Sequence, residues 1–184
     1  MSQSGDFGIS SLGFFTNCWS WSLRSHFQTL LIGTPSNTAS HELSSVHAFI
    51  EGWQAVLEVH LGRWALADAT IGRALERPAP SPGRGPALLA LGRLNARRGT
   101  GDAMAALRES LDILQSQGFR QREGLIRSAL AEAAWHAGDI PGVLAQVDEG
   151  LPLALRFRQP WYVGELGYWA WRVGRPVDLP EWTA

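Results

Sequence analysis

The sequence contains no lysine, since all sixteen of its basic residues are arginine. This absence excludes a Walker lysine, a Schiff-base lysine and a lysine general base. Its single cysteine, Cys18, excludes an internal disulfide and a zinc site built from several cysteines. Eighteen consecutive apolar residues occur nowhere, and the N-terminus lacks the basic region of a signal peptide. We therefore expect a cytoplasmic protein that does not enter a membrane.

Charge of either sign is not in excess, because sixteen basic residues face seventeen acidic ones and the net charge is -1. Such a balance gives no global electrostatic reason to expect a nucleic acid or an anionic membrane as partner. The length of 184 residues suits one domain, which can bury roughly 70% of its unfolded surface without disulfides or metals.

The composition changes near residue 46. Residues 1–45 are poor in charge and rich in Ser, Thr, Asn and Gly, which predicts an irregular segment with one possible helix at 19–32. Residues 46–174 are dense in Ala, Leu and charged residues, which favours helices. Residues 175–184 contain two prolines, which predicts a non-helical C-terminal tail.

The helical part repeats itself. Four glycines recur 37, 39 and 36 residues apart, namely Gly62, Gly99, Gly138 and Gly174. Seven residues before each glycine stands a small residue, namely Ala55, Gly92, Ala131 and Gly167. A small residue lets a second helix approach closely, and glycine adopts the left-handed conformation that ends a helix. Apolar or small residues then recur at intervals of 4, 7 and 8 from Ala67, Ala103 and Val143, as on the buried face of a helix.

These patterns predict an all-α fold of about three and a half helical hairpins stacked as an α-solenoid, because a lone hairpin cannot bury its apolar face. The predicted helices span 46–61, 64–77, 86–98, 102–117, 121–137, 140–157 and 160–173. The last hairpin lacks its second helix. We therefore expect Tyr162, Leu166 and Trp169 to be exposed at this end, where a homodimer could form.

The repeat resembles divergent tetratricopeptide (TPR) repeats, through the Leu-small pair, the turn glycine and the apolar stripe at 67–75. Segments 91–99, 131–139 and 164–174 are similar to phrases in the helical region of large bacterial ATP-dependent regulators of the LuxR type. In that group an ATPase module precedes the repeats and a DNA-binding helix-turn-helix follows them. This sequence shows neither, so the resemblance implies a fragment or split part of a transcriptional regulator that binds neither ATP nor DNA itself.

The first helix of each stacked hairpin lines an inner groove, which predicts a binding surface one, four and five positions after each small residue. These positions hold Val56, Val59, His60, Arg93, Ala96, Arg97, Glu132, Trp135, His136, Tyr168, Trp171 and Arg172, and Trp161 joins them. Arg93 and Arg97 lie one turn apart and could clamp a carboxylate or phosphate. The alternative is that Trp135 and Trp171 belong to the core and the arginines are solvated.

No catalytic or metal-binding set stands out. His41 and His47 are six residues apart, whereas the zinc motif HExxH needs histidines four apart. Glu132 and His136 could form an acid–base pair, although a surface contact is the simpler interpretation. Cys18 has no basic neighbour to activate it. We therefore expect no enzyme activity, no cofactor and no metal.

The leading hypothesis is a non-enzymatic module that binds a protein or peptide partner. The alternative is a small-molecule effector sensor, in which Trp161, Tyr168 and Trp171 stack a sugar or another planar ligand. A third possibility is a gene fragment without an independent role.

Overall fold

The computed structural model describes residues 36–78 and 80–179, which contain seven α-helices and no strand. The helices are α1 Ser36–His60, α2 Trp64–Glu76, α3 Arg84–Arg98, α4 Ala103–Ser116, α5 Glu123–His136, α6 Ile140–Arg156 and α7 Pro160–Arg172. A 3-10 turn, Arg120–Arg122, precedes α5. The all-α prediction is confirmed, and six of the seven helices agree with the sequence to within a few residues.

Helix α1 differs from the prediction because it begins at Ser36 rather than at residue 46. Residues 36–45, predicted to be irregular, are therefore helical. Their many Ser, Thr and Asn residues have intrinsic helix propensities only about 0.5 kcal/mol poorer than alanine, a deficit that surrounding structure readily overrides. The possible helix at 19–32 and Cys18 lie outside the described residues, and the side chains of α1 are described from Leu43 onward. By its contacts the chain divides into residues 1–41 and 42–184, and the latter unit holds α2–α7 and most of α1.

The predicted glycine turns are confirmed. Gly62, Gly99, Gly138 and Gly174 have φ angles of 70°, 65°, 73° and 81°, and each follows a helix end. This left-handed conformation is cheap only for glycine. Asp102 and Asp139 then cap the next helices, because their carboxylates accept hydrogen bonds from the backbone N–H groups of Ala105 at 2.8 Å and Gly142 at 2.9 Å.

Helices that follow one another in the chain pack together from α2 to α7, and α5 also contacts both α3 and α7. The predicted close approach is present at Gly92, where an added Cβ would lie 2.4 Å from Cγ of Leu107. One apolar cluster joins α1–α5 through residues such as Val59, Leu94 and Leu107. A second joins α5–α7 through residues such as Val147 and Leu166. No helix among the described residues is both long and apolar enough to cross a membrane.

The chain after α7 covers the end that we expected to be open. Arg175 pairs with Asp148 of α6 at 2.7 Å, and Val177 packs against the second apolar cluster. Leu179 reaches the surface of α7, where a Cβ on Gly167 would lie 3.2 Å from its side chain.

The predicted exposure of this end is therefore wrong for Leu166, which is fully buried, while Tyr162 and Trp169 are half-buried. A non-helical tail takes the covering role that the sequence pattern assigned to a missing helix. The apolar face on which the predicted homodimer depended is thus largely covered.

Candidate functional site

A chain of polar side chains, here called the charged seam, crosses four helices: α1, α3, α5 and α7. It consists of His60, Arg93, Arg97, Ser128, Glu132 and Glu165. Arg93 and Arg97 lie one turn apart on α3, and Ser128 and Glu132 lie one turn apart on α5, so each pair shares a helical face. Four of its six residues, His60, Arg93, Arg97 and Glu132, are positions that the sequence assigned to the inner groove.

Arg93 lies at the centre of the seam and is only 2% exposed. Its Nη2 donates to Glu165 Oε2 at 2.7 Å and to Ser128 Oγ at 2.9 Å. Its Nη1 lies 2.9 Å from Nε2 of His60, and its Nε lies 3.7 Å from Glu132 Oε2. Because a buried guanidinium is costly without compensation, these partners from three other helices are what make its burial tolerable.

Glu165 forms the shorter of the two ion pairs of Arg93, at 2.7 Å. Its Oε1 accepts a hydrogen bond from Trp161 Nε1 at 3.0 Å, and its Oε2 also accepts one from the Ser128 hydroxyl. Burial alone raises the pKa of Glu165, but the charge and hydrogen bonds of Arg93 outweigh it and hold this pKa below its ordinary value. Glu165 is therefore ionised at neutral pH, and both of its carboxylate oxygens accept hydrogen bonds from within the protein.

Arg97 makes the second ion pair of the seam. Its Nε donates to Glu132 Oε1 at 2.6 Å, and the Glu132 side chain is buried. The clamp predicted from the spacing of Arg93 and Arg97 thus holds the protein's own carboxylates. Neither arginine is the solvated residue of the alternative interpretation, since Arg93 is buried and Arg97 is half-buried.

His60 ends the seam on α1. Its Nδ1 lies 2.8 Å from the Val56 carbonyl oxygen, so Nδ1 carries the proton and Nε2 accepts from Arg93. Partial burial and the positive charges of Arg93 and Arg97 lower the pKa of His60, against the opposing effects of the Val56 carbonyl and Glu165. His60 is therefore held in the neutral form.

Aromatic side chains form a second surface at α5 and α7. We call it the aromatic face, and it comprises Trp135, His136, Trp161, Tyr168, Trp171 and Arg172. Trp161 is 57% exposed, Tyr168 47% and Trp171 61%. The rings of Tyr168 and Trp171 lie 6.1 Å apart with a tilt of 36°. The alternative that placed Trp171 in the core is therefore wrong.

Arg172 joins the two helices of the aromatic face. Its guanidinium lies 4.3 Å from the ring centroid of Trp135, the distance of a cation–π contact. Trp135 is half-buried and also packs against Trp169, with ring centroids 5.6 Å apart. His136 is exposed beside Trp135 at 5.1 Å. In the described part of the chain, Arg172 forms no ion pair with a carboxylate.

Five predicted groove positions are buried rather than exposed, and two of them, Arg93 and Glu132, belong to the charged seam. Val56, Val59 and Ala96 are buried in the first apolar cluster. The spacing rule identifies the residues that share one face of a helix. It does not say how much of the helix circumference neighbouring helices cover. Helix α3, for example, contacts α2, α4 and α5, so positions next to its groove face become core positions.

Two residues of the seam, Ser128 and Glu165, were not predicted from the sequence. Glu165 is the only acidic residue of α7, and it lies four positions after Trp161 and three before Tyr168. That spacing puts it on the same helical face as both aromatics, which was a usable signal. Ser128, four residues before Glu132, carries no comparable signal.

The two residues of the possible acid–base pair contact different partners. Glu132 turns to the two arginines, whereas His136 packs on Trp135. His47 lies 3.4 Å from Arg77 Nη2, and the side chain of His41 is outside the described region. Within residues whose side chains are described, no group of three or more metal-ligating side chains comes together.

Comparison with known proteins identifies no relative. No protein family, curated protein or solved structure matches this chain. The geometry of the seam and the aromatic face is therefore the basis for any functional argument.

Proposed function

We propose that residues 42–179 are a non-enzymatic interaction module that binds a segment of a partner protein on the aromatic face. One observation carries this proposal. Trp161, Tyr168 and Trp171 are large, exposed aromatics on a helix whose only carboxylate is bonded inward. Aromatic side chains supply wide contact area at a low entropic cost, and they are enriched at the energetic centres of protein interfaces.

The arrangement behind the surface is proposed to be a TPR-like stack of hairpins. Its support is that α3 packs on α4 and α5 on α6 within hairpins, while α5 contacts both α3 and α7 between them. Glycines in the left-handed conformation join the two helices of these hairpins at Gly99 and Gly138. In such a stack the first helices of successive hairpins share one face, which is where binding is expected.

The charged seam gives this surface a rigid support. It bonds α7 to α3 and α5 through Arg93, Ser128 and Glu165. A surface whose helices are already fixed loses less entropy when it binds than a mobile one does. The seam is therefore a positioning element, and the aromatic face is the part that meets the partner.

The proposal is tested by selecting a random dodecapeptide library, displayed on phage, against the full chain. We expect peptides to be enriched on the wild-type protein and not on the Tyr168→Ala/Trp171→Ala variant. Trp64→Ala is the matched control, because Trp64 is 37% exposed on α2, outside the aromatic face. Absence of any enriched peptide, or equal enrichment on the double variant, would overturn the proposal.

A small-molecule sensor is the second candidate, and one observation favours it. The rings of Tyr168 and Trp171 are exposed, 6.1 Å apart and tilted by 36°, and each offers a face on which a planar ligand or a sugar can stack. Quenching of tryptophan fluorescence across a metabolite panel tests it. Quenching that persists in Trp171→Ala would count against this site.

The link to a bacterial LuxR-type regulator is proposed from the sequence phrases alone. In that setting the module would be a split part of the regulator, and its partner would belong to the signalling machinery. An adjacent reading frame that encodes an ATPase or a helix-turn-helix protein would support this placement.

A further inference from the structure

The aromatic face carries positive charge without a matching negative charge. Helix α7 has two charged side chains, Glu165 and Arg172. The carboxylate of Glu165 accepts hydrogen bonds from Arg93, Ser128 and Trp161. Arg172 is exposed and forms no ion pair within the described residues. The face therefore presents a cation among aromatic rings, with its acid turned inward.

The guanidinium of Arg172 is already positioned for recognition. Its central carbon lies 4.3 Å from the ring centroid of Trp135 and 5.9 Å from that of Tyr168. Among the described residues its N–H groups have no carboxylate partner, so these donors remain available. An arginine held in this way suits a carboxylate, which can accept two of its N–H groups at once.

On the basis of the proposed function, we propose that the segment bound at the aromatic face is an acidic peptide. An aspartate or glutamate of the partner bonds to Arg172, and an adjacent apolar or aromatic side chain packs on Tyr168 and Trp171. The sequence predicted that Arg93 and Arg97 bind a carboxylate of the ligand. These two arginines pair with Glu165 and Glu132 inside the protein, so we assign that role to Arg172 instead.

Charge complementarity distinguishes this occupant from two others. A second copy of the chain, paired by a two-fold axis through this face, would bring Arg172 towards its own counterpart without supplying a free carboxylate from α7. A nucleic acid needs several phosphate contacts for useful affinity, whereas this face offers one arginine, Arg172, that has no carboxylate partner in the described part of a chain of net charge -1.

The test uses a peptide selected from the dodecapeptide library, together with a synthetic copy in which each Asp is replaced by Asn and each Glu by Gln. Binding of both to the full chain is measured by fluorescence titration with a labelled peptide. We expect the amide copy to bind the wild-type protein about tenfold more weakly, the effect of losing one charge-assisted contact of about 1.4 kcal/mol. Arg172→Gln is expected to lose the same factor with the acidic peptide and to bind the two peptides equally.

Two variants control for folding and for a general loss of charge. Arg98→Gln removes another arginine that stacks on a tryptophan, Trp64 at 5.5 Å, and it should bind the acidic peptide as the wild type does. Arg172→Lys keeps the charge but loses the planar fork, so it should recover only part of the affinity. All variants should keep the wild-type melting temperature to within a few degrees, since both arginines lie at the surface.

The outcomes separate the acidic-peptide proposal from the interaction module itself. Peptides that bind the aromatic face without any acidic residue, or equal binding to wild type and Arg172→Gln, would overturn the former and leave the latter standing. No peptide binding at all would overturn both. A dimer in sedimentation that Trp171→Ala converts to a monomer would assign the face to a second copy. Tighter binding of a twelve-nucleotide oligothymidine would assign it to a nucleic acid, and either result overturns the acidic-peptide proposal.

Discussion

Arg93 of α3 and Glu165 of α7 are joined by a 2.7 Å ion pair although 72 positions separate them in the sequence. Helix α5, which contacts both α3 and α7, lies between their helices in the packing order. The pair therefore spans a neighbouring helix, and Ser128 of that helix bonds to both of its members. The Arg93–Glu165 ion pair therefore links α3 to α7, the last helix. Because Arg93 is buried, we expect the stability of residues 42–179 to depend on this charge.

Loss of Arg93 is expected to destabilise the protein strongly. In Arg93→Met, Glu165 loses the cation that it pairs with, while Glu132 keeps only Arg97, which should lower the free energy of unfolding by about 3–5 kcal/mol in urea titrations. Arg84→Met is the matched control, because Arg84 and Glu109 form a 2.7 Å pair with both side chains partly exposed. That change should cost about 1 kcal/mol or less. Equal costs for the two variants would contradict the central role of the seam.

The protein is expected to lose stability as the pH falls below about 6.5, the ordinary pKa of histidine. The pKa of His60 is lowered in the folded state, so the unfolded chain binds this proton first and gains stability relative to the fold. The groups that face His60 are Arg93, Arg97, Glu165 and the Val56 carbonyl. Below about 4.5 a second loss follows, because the pKa of Glu165 is also lowered and its ion pair is then protonated.

The His60 contribution can be separated with His60→Gln, whose amide oxygen can still accept from Arg93. Urea unfolding at pH 7 and pH 5.5 should show a smaller loss of stability in this variant than in the wild type. An identical loss in both proteins would show that His60 does not titrate as the seam geometry requires.

Two helical glycines are expected to respond to alanine with opposite signs. Gly92→Ala places a Cβ 2.4 Å from Leu107 Cγ and should destabilise by about 1–3 kcal/mol. Gly72→Ala, in α2, adds a Cβ with nothing within 4 Å. It should stabilise by about 0.5–1 kcal/mol, since alanine restricts the unfolded chain and favours helix. Thermal melts of the two variants measure this, and a stabilising Gly92→Ala would contradict the close packing of α3 on α4.

Arg158 is expected to be a site of removable strain. It has a φ of 49°, in the turn between α6 and α7, whereas the corresponding turn between α4 and α5 has Gly118 at 73°. Arg158→Gly should therefore raise stability by up to about 1 kcal/mol, and Gly118→Ala should lower it by a similar amount. Denaturant midpoints that do not change in either variant would show that these turns readjust without cost.

Local signals explain why so much of the fold was predictable. Glycine turns such as Gly99 and aspartate caps such as Asp102 act within a few residues, so they can be recognised in a single sequence. The periodicity of α3–α7 likewise reflects packing that repeats along the chain. The beginning of α1 at Ser36 was not predictable in this way, because its polar residues are weak helix formers.

The candidate site was predictable only in part. The exposure of Tyr168 and Trp171 agrees with the groove positions that their helical spacing predicts, although the sequence left open a buried Trp171. The pairing of Arg93 with Glu165 did not, because a contact across 72 positions leaves no local pattern. The burial of Leu166 was also missed, since it packs in the second apolar cluster, where a Cβ on Gly150 of α6 would lie 3.0 Å from its side chain. The tail was missed for a similar reason, since Val177 and Leu179 pack near Gly167 without regular secondary structure.

The most direct test of the interaction module is the affinity of a library-selected peptide for the Tyr168→Ala/Trp171→Ala variant, measured by titration against the wild type and Trp64→Ala. Loss of two aromatic contacts at the centre of an interface should weaken binding at least tenfold, while the melting temperature changes little because both side chains are exposed. Trp64→Ala should bind as the wild type does. Wild-type affinity in the double variant would show that the aromatic face does not bind the partner.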